Sequence, residues 1–353
     1  MATHTLPAFL KQSRAELHNK FVDLEWQQRN RLLQGTQHPL NPNDPPSRFA
    51  RLTDDAVKER NRYLNVEPFA QNRIKLRVAE GVSDYINASP IQLGKRRYIA
   101  TQGPKDTNVN HFYRMVASEL KSPAVVVMLT QTHEAGREKC FQYYPLSADQ
   151  SPLTIPLDEQ YDDGFEGEVE LVGVKHDQKS RSEIRELKVK TTADNGKPRE
   201  IEMQHLLFSG WPDFLVPEGD DRKALVELVR LSAQLNRKPS SDTSATTNGS
   251  SFAGDLARTD QDNPRIVHCS AGVGRSGTFI ALDYLLSLLL TGQLDNLSPE
   301  DDPIADTVDK LRQQRMMMVQ GESQFMFLYE VLREQYLARH QTNGHDTVAG
   351  AQG

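Results

Sequence analysis

The amino-terminal part of the chain repeats apolar residues at the spacing of a helix. They recur one, three, four and seven positions apart with polar residues between them, and they are Phe9, Leu10, Leu17, Phe21 and Leu24. This spacing places them on one face of an amphipathic helix. Prolines between residues 39 and 46 then interrupt the pattern, because proline has no amide donor and restricts its own backbone. We predict a helix over the first ~35 residues, followed by an extended linker.

Apolar runs and alternating patterns predict strands further along. The longest uninterrupted apolar run, Ala124 to Leu129, is rich in β-branched residues, which favours a strand buried on both faces. It is far shorter than the roughly 18 residues that cross a bilayer. Residues 168–175 and 184–191 are typical of an antiparallel pair. Gly173 within the first of these two strands indicates a bulge.

Helical patterns surround these strands. They cover about residues 110–121, 220–237, 279–290 and 322–339. The third is largely apolar with Asp283 in its middle, as expected for a buried helix, and a short strand at 265–268 precedes it. Strands and helices are interleaved without strict βαβ regularity. We therefore predict the α/β (α+β) class, with a single domain built on a mixed β-sheet flanked by α-helices.

Composition changes abruptly between Pro239 and Pro264. This segment is rich in Ser, Thr, Asn, Asp and Gly, and its only large apolar residues are Phe252 and Leu256. It cannot bury enough apolar surface to offset the entropy lost on ordering. We predict a disordered insertion at 239–264, and a loose polar tail after the final helix.

The charge balance and the cysteine count narrow the classes of function. The 353 residues include 42 Lys and Arg and 48 Asp and Glu, a net charge of −6, whereas proteins that bind nucleic acid are normally basic. Neither end resembles a signal peptide or a lipidation motif. The two cysteines, Cys140 and Cys269, cannot form a disulfide framework. We therefore expect a reducing compartment, in which a thiol can perform chemistry.

The segment from Ile266 to Thr278 carries the candidate chemistry. It reads Ile-Val-His-Cys-Ser-Ala-Gly-Val-Gly-Arg-Ser-Gly-Thr and lies between the short strand and the apolar helix. One interpretation is a dinucleotide-binding fingerprint, since Gly272, Gly274 and Gly277 satisfy G-x-G-x-x-G. That fingerprint requires an acidic residue about 20 positions on, after a second strand. Here the corresponding region follows a helix, and the cysteine and arginine of the segment are left without a role.

A phosphate-binding loop accounts for the whole segment. Consecutive backbone N–H groups that open into a helix N-terminus form a concave site for a tetrahedral dianion, and Gly272 and Gly274 permit the backbone angles it needs. Arg275 lies six positions after Cys269, where its planar guanidinium reaches two phosphate oxygens. The same amides and the helix dipole favour a thiolate at Cys269. Ser276 is placed to donate a hydrogen bond to that sulfur.

A reactive thiolate requires a large change in the pKa of the thiol. An ordinary thiol with a pKa of ~8.5 is only about 3% ionised at pH 7, and lowering its pKa by roughly 3 units takes about 4 kcal/mol of differential stabilisation. The alternative is a buried structural cysteine beside a chance arginine. That alternative explains neither the glycines nor the strand–turn–helix arrangement.

The loop from His268 to Gly277 resembles the signature loop of the cysteine-dependent protein tyrosine phosphatases, in their tyrosine-specific, non-receptor branch. Other segments resemble further motifs of that family, in family order: Asn61-Arg-Tyr63 the phosphotyrosine-recognition loop, Asp84-Tyr-Ile-Asn-Ala-Ser89 and Tyr98-Ile-Ala-Thr-Gln-Gly-Pro104 the core motifs, Trp211-Pro-Asp213 the mobile acid loop, and Gln320 with Gln324 the water-positioning loop. The resemblance implies a catalytic domain with a highly twisted mixed sheet over about residues 48–339. An N-terminal helical extension (1–47) would precede it and a flexible tail (340–353) would follow.

The resemblance also implies a role for individual residues. Cys269 would be the nucleophile, assisted by Arg275 and Ser276. Asp213 would act as general acid and then as general base, and Gln320 would hold the attacking water. The residues implied to bind substrate are Tyr63, Asn65, Ser270, Ala271, Gly272, Val273, Gly274, Arg275 and Gln324. Asn65 departs from the aspartate of some family members and carries no charge.

Three further residues or features complete the prediction. The resemblance implies an ion pair between Glu134 and Arg275, although a solvated surface carboxylate explains Glu134 equally well from the sequence alone. Cys140 is predicted to be a buried structural thiol. No cluster of His, Cys and Asp has metal-ligand spacing, so we predict chemistry without a metal or a cofactor.

We therefore predict a protein tyrosine phosphatase that acts on phosphotyrosine-containing proteins through a phosphocysteine intermediate. It would be an oxidation-sensitive signalling enzyme and a monomer, located in the cytoplasm or alternatively the nucleus, with no nucleic-acid partner and no membrane span. Three alternatives are open. One is a relative that acts on phosphoserine, phosphothreonine or phosphoinositides, although the signature loop lacks the lysines expected for a polyanionic headgroup. The others are an inactive phosphotyrosine-binding scaffold and a nucleotide-cofactor oxidoreductase.

Overall fold

The computed structural model describes residues 6–37, 45–192, 198–212, 215–237 and 262–349. Most of the predicted insertion at 239–264, part of the proline-rich linker and Asp213 lie outside the described residues, and what is predicted for them stays a prediction. Within the described ranges, no helix is both long enough and apolar enough to pass through a lipid bilayer.

Five of the seven α-helices in the described residues form where the sequence pattern predicts them, and the helices at Asp55–Arg60 and Pro303–Gln314 are additional. The seven are α1 (Arg14–Thr36), α2 (Asp55–Arg60), α3 (Val109–Glu119), α4 (Gly219–Leu235), α5 (Gly274–Leu290), α6 (Pro303–Gln314) and α7 (Glu322–Ala349). Ser13 begins α1 with a capping box, in which the Ser13 hydroxyl accepts from the Glu16 amide and the Glu16 carboxylate accepts from the Ser13 amide, so that two amides at the helix start are satisfied. Helix α7 continues well past residue 339, where the pattern predicted its end.

The main sheet is mixed, as predicted. Its strands are β1 (Ala88–Leu93), β2 (Arg96–Thr101), β3 (Ala124–Met128), β6 (Leu153–Ile155), β7 (Gly167–Asp177), β8 (Ser182–Thr192), β9 (Pro198–Phe208) and β10 (Arg265–His268), and a separate hairpin consists of β4 (His133–Glu134) and β5 (Arg137–Glu138). The eight strands lie in the order β1-β2-β10-β3-β9-β8-β7-β6. The central strands β2, β10, β3 and β9 are parallel to one another, and the outer pairs are antiparallel.

The predicted strand details are confirmed in β3 and in the β7–β8 pair. Every residue of β3 is buried, as expected for a strand covered on both faces. Strands β7 and β8 pair in antiparallel register with a shift between Leu171 and Gly173, which is the predicted bulge. Val169 of β7 is buried, whereas Val172 and Val174 are exposed.

The sheet separates two apolar layers. Val125 and Val127 of β3 face a large core that also contains residues of α4, α5, α6 and α7. Val126 and Met128 face the opposite core, which is covered by α3. The amino-terminal helix belongs to the first layer, because Leu17 and Leu24 of α1 are buried in it. Strand β10 lies between β2 and β3 inside the sheet, so the loop that follows it starts from the interior of the domain.

Candidate active site

A cavity of ≈ 480 Å³ opens beside the loop that joins β10 to α5. Many of the sequence-predicted site residues line it together: Tyr63, Asn65, Cys269, Ser270, Ala271, Gly274, Arg275, Gln320 and Gln324. Gly272, Val273 and Ser276 belong to the same loop and helix start but are buried behind the cavity wall. Residues more than 250 positions apart in the chain therefore meet at one concave site.

The backbone of the loop demands glycine at one position above all. Gly272 has a φ of +73°, in the left-handed region that residues with a Cβ rarely adopt. A Cβ at this position would also lie 2.1 Å from the carbonyl oxygen of Thr101 in β2. A residue with a side chain at this position would therefore push the loop away from β2.

Cys269 lies at the base of this loop and is reachable only through the cavity, since it is 5% exposed. Burial raises the pKa of a thiol, but the Ser276 side chain, the Arg275 charge and the backbone amides of Ser276 and Gly272 together hold the pKa of Cys269 below its usual value. The Gly272 N–H donates to Sγ at 3.3 Å. The loop therefore favours a thiolate.

The Ser276 hydroxyl is placed to respond to the charge on that sulfur. Its Oγ is buried and has no conventional hydrogen-bond partner among the residues that the structure describes. The hydroxyl hydrogen is therefore free to turn toward the sulfur. The resulting hydrogen bond is the largest of the influences that lower the pKa of Cys269. A buried donor without another acceptor is most stable when the sulfur carries a negative charge.

Arg275 is held in place by a two-pronged ion pair with Glu134. The guanidinium Nη1 and Nη2 donate to the two carboxylate oxygens at 2.6 and 2.8 Å, and Nη1 also donates to the Leu129 carbonyl at 3.0 Å. Burial alone would raise the pKa of Glu134. The hydrogen bonds and charge of Arg275, together with the Thr130 hydroxyl, outweigh burial and hold the pKa of Glu134 below its usual value. The ion pair that the family resemblance implied is thus present, and it fixes the plane of the guanidinium.

A second arginine, which the sequence analysis did not single out, supports the loop from behind. Arg315 is fully buried, and its guanidinium donates to the carbonyls of Gly272 at 2.9 Å and Ala271 at 3.2 Å and to Asn87 Oδ1 at 2.7 Å. Burial lowers the pKa of Arg315 to about 10, which keeps it charged at neutral pH. Arg315 therefore satisfies two backbone carbonyls of the loop that follows Cys269.

Tyr63 forms part of the cavity wall. The Ser270 hydroxyl donates to the Lys139 carbonyl at 2.8 Å, so the Tyr63 hydroxyl donates to Ser270 Oγ, also at 2.8 Å. Its neighbour Arg62 donates from the backbone to Gln102 Oε1 and from the guanidinium to the Pro104 carbonyl. The aromatic ring is thus anchored at the cavity edge, where it can face a flat substrate group.

The remaining predicted residues lie around the cavity mouth. Gln320 is exposed and lines the cavity with Gln324, and the Gln324 side chain accepts from the Gly321 amide at 3.3 Å. Asp213 lies outside the described residues, but both flanks of its loop are described. Trp211 is buried and its indole N–H donates to the Leu215 carbonyl at 3.0 Å, and Leu215 lines the cavity.

The other cysteine is far less suited to chemistry. Cys140 is fully buried, and this burial raises the pKa of its thiol far above the usual range. The predicted burial of this thiol is therefore confirmed.

Burial also affects His268, the residue before the nucleophile. It lowers the pKa of His268 to about 4, so this histidine is neutral at pH 7.

Taken as chemistry, the site offers a thiolate beside an anion-binding loop and a fixed guanidinium. Comparison with known proteins agrees with this class of site. The sequence matches the family model described as protein-tyrosine phosphatase over residues 57–334. Because that match covers most of the chain, the chain belongs to the protein-tyrosine phosphatase family.

Individual relatives show similar overall agreement. The chain is 31% identical over 353 residues to tyrosine-protein phosphatase 1 of Saccharomyces cerevisiae, covering 93% of this chain and 96% of the relative. It is 32% identical over 286 residues to tyrosine-protein phosphatase 2 of Schizosaccharomyces pombe, covering 80% of this chain but only 35% of the relative. It is 34% identical over 279 residues to the phosphatidylinositol phosphatase PTPRQ of Rattus norvegicus, covering 78% of this chain and 10% of the relative.

Solved structures agree with the fold. The catalytic domain of human protein tyrosine phosphatase non-receptor type 18 superposes with a TM-score of 0.65 at 27% identity, covering 91% of this chain and 96% of that chain. The same human phosphatase has been solved with phosphopeptides of HER2. The predicted single mixed α/β fold is therefore that of a protein tyrosine phosphatase catalytic domain.

Proposed function

We propose that this protein hydrolyses phosphotyrosine in other proteins through a phosphocysteine intermediate on Cys269. The observation that carries the proposal is the pairing of a thiol whose pKa is held low with an immobilised guanidinium, at the base of one cavity. Tyr63 at the edge of that cavity favours an aromatic substrate. The phosphopeptide complexes of the human neighbour support a protein substrate.

In the first step, Cys269 Sγ attacks the phosphorus of the bound phosphotyrosine. The S–P bond forms while the bond from phosphorus to the tyrosine oxygen breaks, and Asp213 gives a proton to the departing phenolate. The three non-bridging oxygens are bound by Arg275 and by the amides of the loop from Ser270 to Gly274. Because these donors are positioned before substrate arrives, they stabilise the transition state without reorganisation.

In the second step, a water held by Gln320 attacks the same phosphorus. Asp213, now a carboxylate, takes a proton from that water, the S–P bond breaks, and inorganic phosphate and the Cys269 thiolate are released. Ser276 stabilises the returning thiolate. Tyr63, Asn65 and Gln324 would contact the substrate around the mouth. We place the catalytic domain at residues 48–339, and we place the protein in the cytoplasm because its nucleophile must stay reduced.

The test compares Cys269→Ser with wild type on phosphotyrosine peptides. The variant is expected to bind peptide while releasing no phosphate, because serine keeps the shape of the site but lacks a low-pKa nucleophile. Retained turnover would refute the nucleophile.

A phosphoinositide substrate is the second candidate, because one relative is named a phosphatidylinositol phosphatase. Wild-type turnover of phosphotyrosine peptide and of phosphatidylinositol phosphates is therefore compared at equal concentration. The loop from Ser270 to Gly274 contains no lysine, so we expect the peptide to be faster. Faster turnover of the phosphatidylinositol phosphates would show that a phosphoinositide, and not phosphotyrosine, is the preferred substrate.

A further inference from the structure

Among the described residues, no hydrogen bond holds the Gln320 side chain, so its placement depends on the backbone that carries it. Its side chain is exposed at the cavity mouth and makes no hydrogen bond with any residue in the described ranges. An amide that must orient a water molecule has to be held to within a fraction of an ångström. Whatever fixes the peptide groups just before Gln320 therefore fixes the water-binding group itself.

Those preceding peptide groups are strained. Met317 has a φ of +59° and Val319 a φ of +55°, both in the left-handed region. This conformation is a genuine outlier for a β-branched residue such as Val319. A strained segment persists only where surrounding contacts over-determine it. The segment 317–319 ends directly at Gln320, so a loss of those contacts would let Gln320 move.

The contacts that hold the segment are polar and buried. Arg312 of α6 is fully buried, and its guanidinium donates to the carbonyls of Met318 at 3.0 Å and Val319 at 2.9 Å. The Val319 amide donates to the carbonyl of Val273 in the signature loop at 3.2 Å. Each of these groups belongs to the half of the chain that contains the nucleophile.

One further contact comes from the other end of the chain. Gln28 on α1 is 7% exposed, and its side-chain Oε1 accepts a hydrogen bond of 2.6 Å from the Met317 amide. Glu25, one turn earlier on α1, lies 2.9 Å from Arg312 Nη1. Helix α1 thus contacts the strained segment directly through Gln28 and indirectly through Arg312. No other residue is recorded as accepting from the Met317 amide within the described part of the chain.

We propose that Gln28 is a positioning residue for the second step, the hydrolysis of the phosphoenzyme. By accepting from the Met317 amide, it stabilises the left-handed segment that presents Gln320 to the attacking water. This inference rests on the proposed function, because it needs a phosphoenzyme and a water held by Gln320. Gln28 makes no hydrogen bond to Cys269 or Arg275, so we expect its loss to affect the second step more than the first.

Gln28→Leu tests this, because leucine fills a similar volume and lacks the acceptor. The matched control is Gln27→Leu, the same substitution at the neighbouring position, whose side chain is exposed and accepts a hydrogen bond of 3.3 Å from Arg31. A third variant, Gln28→Glu, retains an acceptor oxygen. Rapid mixing of each full-length protein with para-nitrophenyl phosphate separates the burst rate constant, which reports phosphoenzyme formation, from the steady-state rate, which reports its hydrolysis.

The expected result for Gln28→Leu is a steady-state kcat lowered by about 3- to 10-fold. Its burst rate constant and kcat/KM stay within about twofold of wild type, since both end at phenol release. Gln27→Leu and Gln28→Glu are expected to match wild type in both phases. A leucine variant that loses both steps equally, or neither, overturns the proposal, because a merely structural role would not separate them.

Two outcomes, an unfolded variant and an inactive wild type, need a separate interpretation. If Gln28→Leu does not fold, Gln28→Asn replaces it, since asparagine stays polar but is too short to reach the Met317 amide. This variant must likewise lower the steady-state kcat while leaving the burst rate constant unchanged. If wild-type protein itself shows neither turnover nor burst, the proposed function fails and this inference fails with it. Wild-type activity with an unchanged asparagine variant overturns the positioning role alone.

Discussion

Removing the Ser276 hydroxyl isolates one contribution to the reactivity of Cys269. Ser276→Ala deletes a single oxygen from a fully buried side chain, and that side chain is the strongest influence lowering the pKa of the thiol. A hydrogen bond to a charged group contributes about 1.5–3 kcal/mol, which corresponds to a factor of about 10 to 150 in an equilibrium constant. The Gly272 amide and Arg275 remain in place, so we expect the lower end of this range.

The direction of the pKa change depends on whether the thiol or the thiolate of Cys269 loses a hydrogen-bond donor. The thiolate loses a donor and the neutral thiol does not, so the pKa of Cys269 rises and the thiolate fraction on the acid side of the titration falls about 10-fold. The assay is the rate of inactivation by iodoacetamide as a function of pH, with Cys269 identified as the alkylated residue by mass spectrometry. Coincident curves for the variant and wild type would refute the reasoning.

The same variant should leave the fold intact, which separates electrostatics from structure. Ser276 Oγ has no conventional partner among the described residues, so replacing the hydroxyl by hydrogen removes an unsatisfied buried polar group and should not lower the free energy of unfolding at acid pH, where the thiol is neutral. Ser287→Ala on the same helix is the control. Its hydroxyl donates to the Tyr284 carbonyl within the helix at 2.6 Å, so the alkylation curve should be unchanged.

Three other outcomes are expected. Asp213→Asn should lower kcat by about 100-fold or more for aryl phosphates with basic leaving groups and far less for activated ones; an equal loss across a leaving-group series measured by steady-state kinetics would contradict the acid role. Arg315→Met should leave the Gly272 and Ala271 carbonyls unsatisfied, at about 1–3 kcal/mol each, and so lower the urea midpoint and weaken vanadate binding; an unchanged midpoint would count against it. Hydrogen peroxide should oxidise Cys269 before Cys140, because thiolate character governs oxidation and the pKa of Cys140 is raised by burial; mass spectrometry that finds Cys140 oxidised first would exclude this order.

The parts of the site that lie close together in sequence were predictable. The strand β10, the glycine-rich turn and the start of α5 are one continuous segment, so the conformation that Gly272 requires and the spacing of Cys269 and Arg275 are visible in the residues themselves. The buried strand β3 and the bulge at Gly173 were likewise predictable, because each depends on a local pattern of apolar residues or on a single glycine.

The supporting contacts were not predictable in this way. Glu134 and Arg275 are 141 positions apart, and the residues around Glu134 in the sequence are equally consistent with a surface carboxylate. Arg315 carries no local signal, since in the sequence a buried arginine that binds loop carbonyls looks like any other arginine. Only the family resemblance, and not periodicity, pointed to Gln320.

Local backbone conformation is determined by consecutive residues, because a glycine, a proline or an apolar repeat constrains the chain at its own position. That was enough to specify the thiol, its loop and the mixed α/β architecture of this protein. Which distant side chain meets a given amide or carbonyl depends on how the layers pack around the sheet. The contact of Gln28 with the Met317 amide spans 289 positions, and many other glutamines in the chain have the same chemistry. Packing selects among such equivalent groups, and it therefore decided which residues hold the loop and the water-binding glutamine in place.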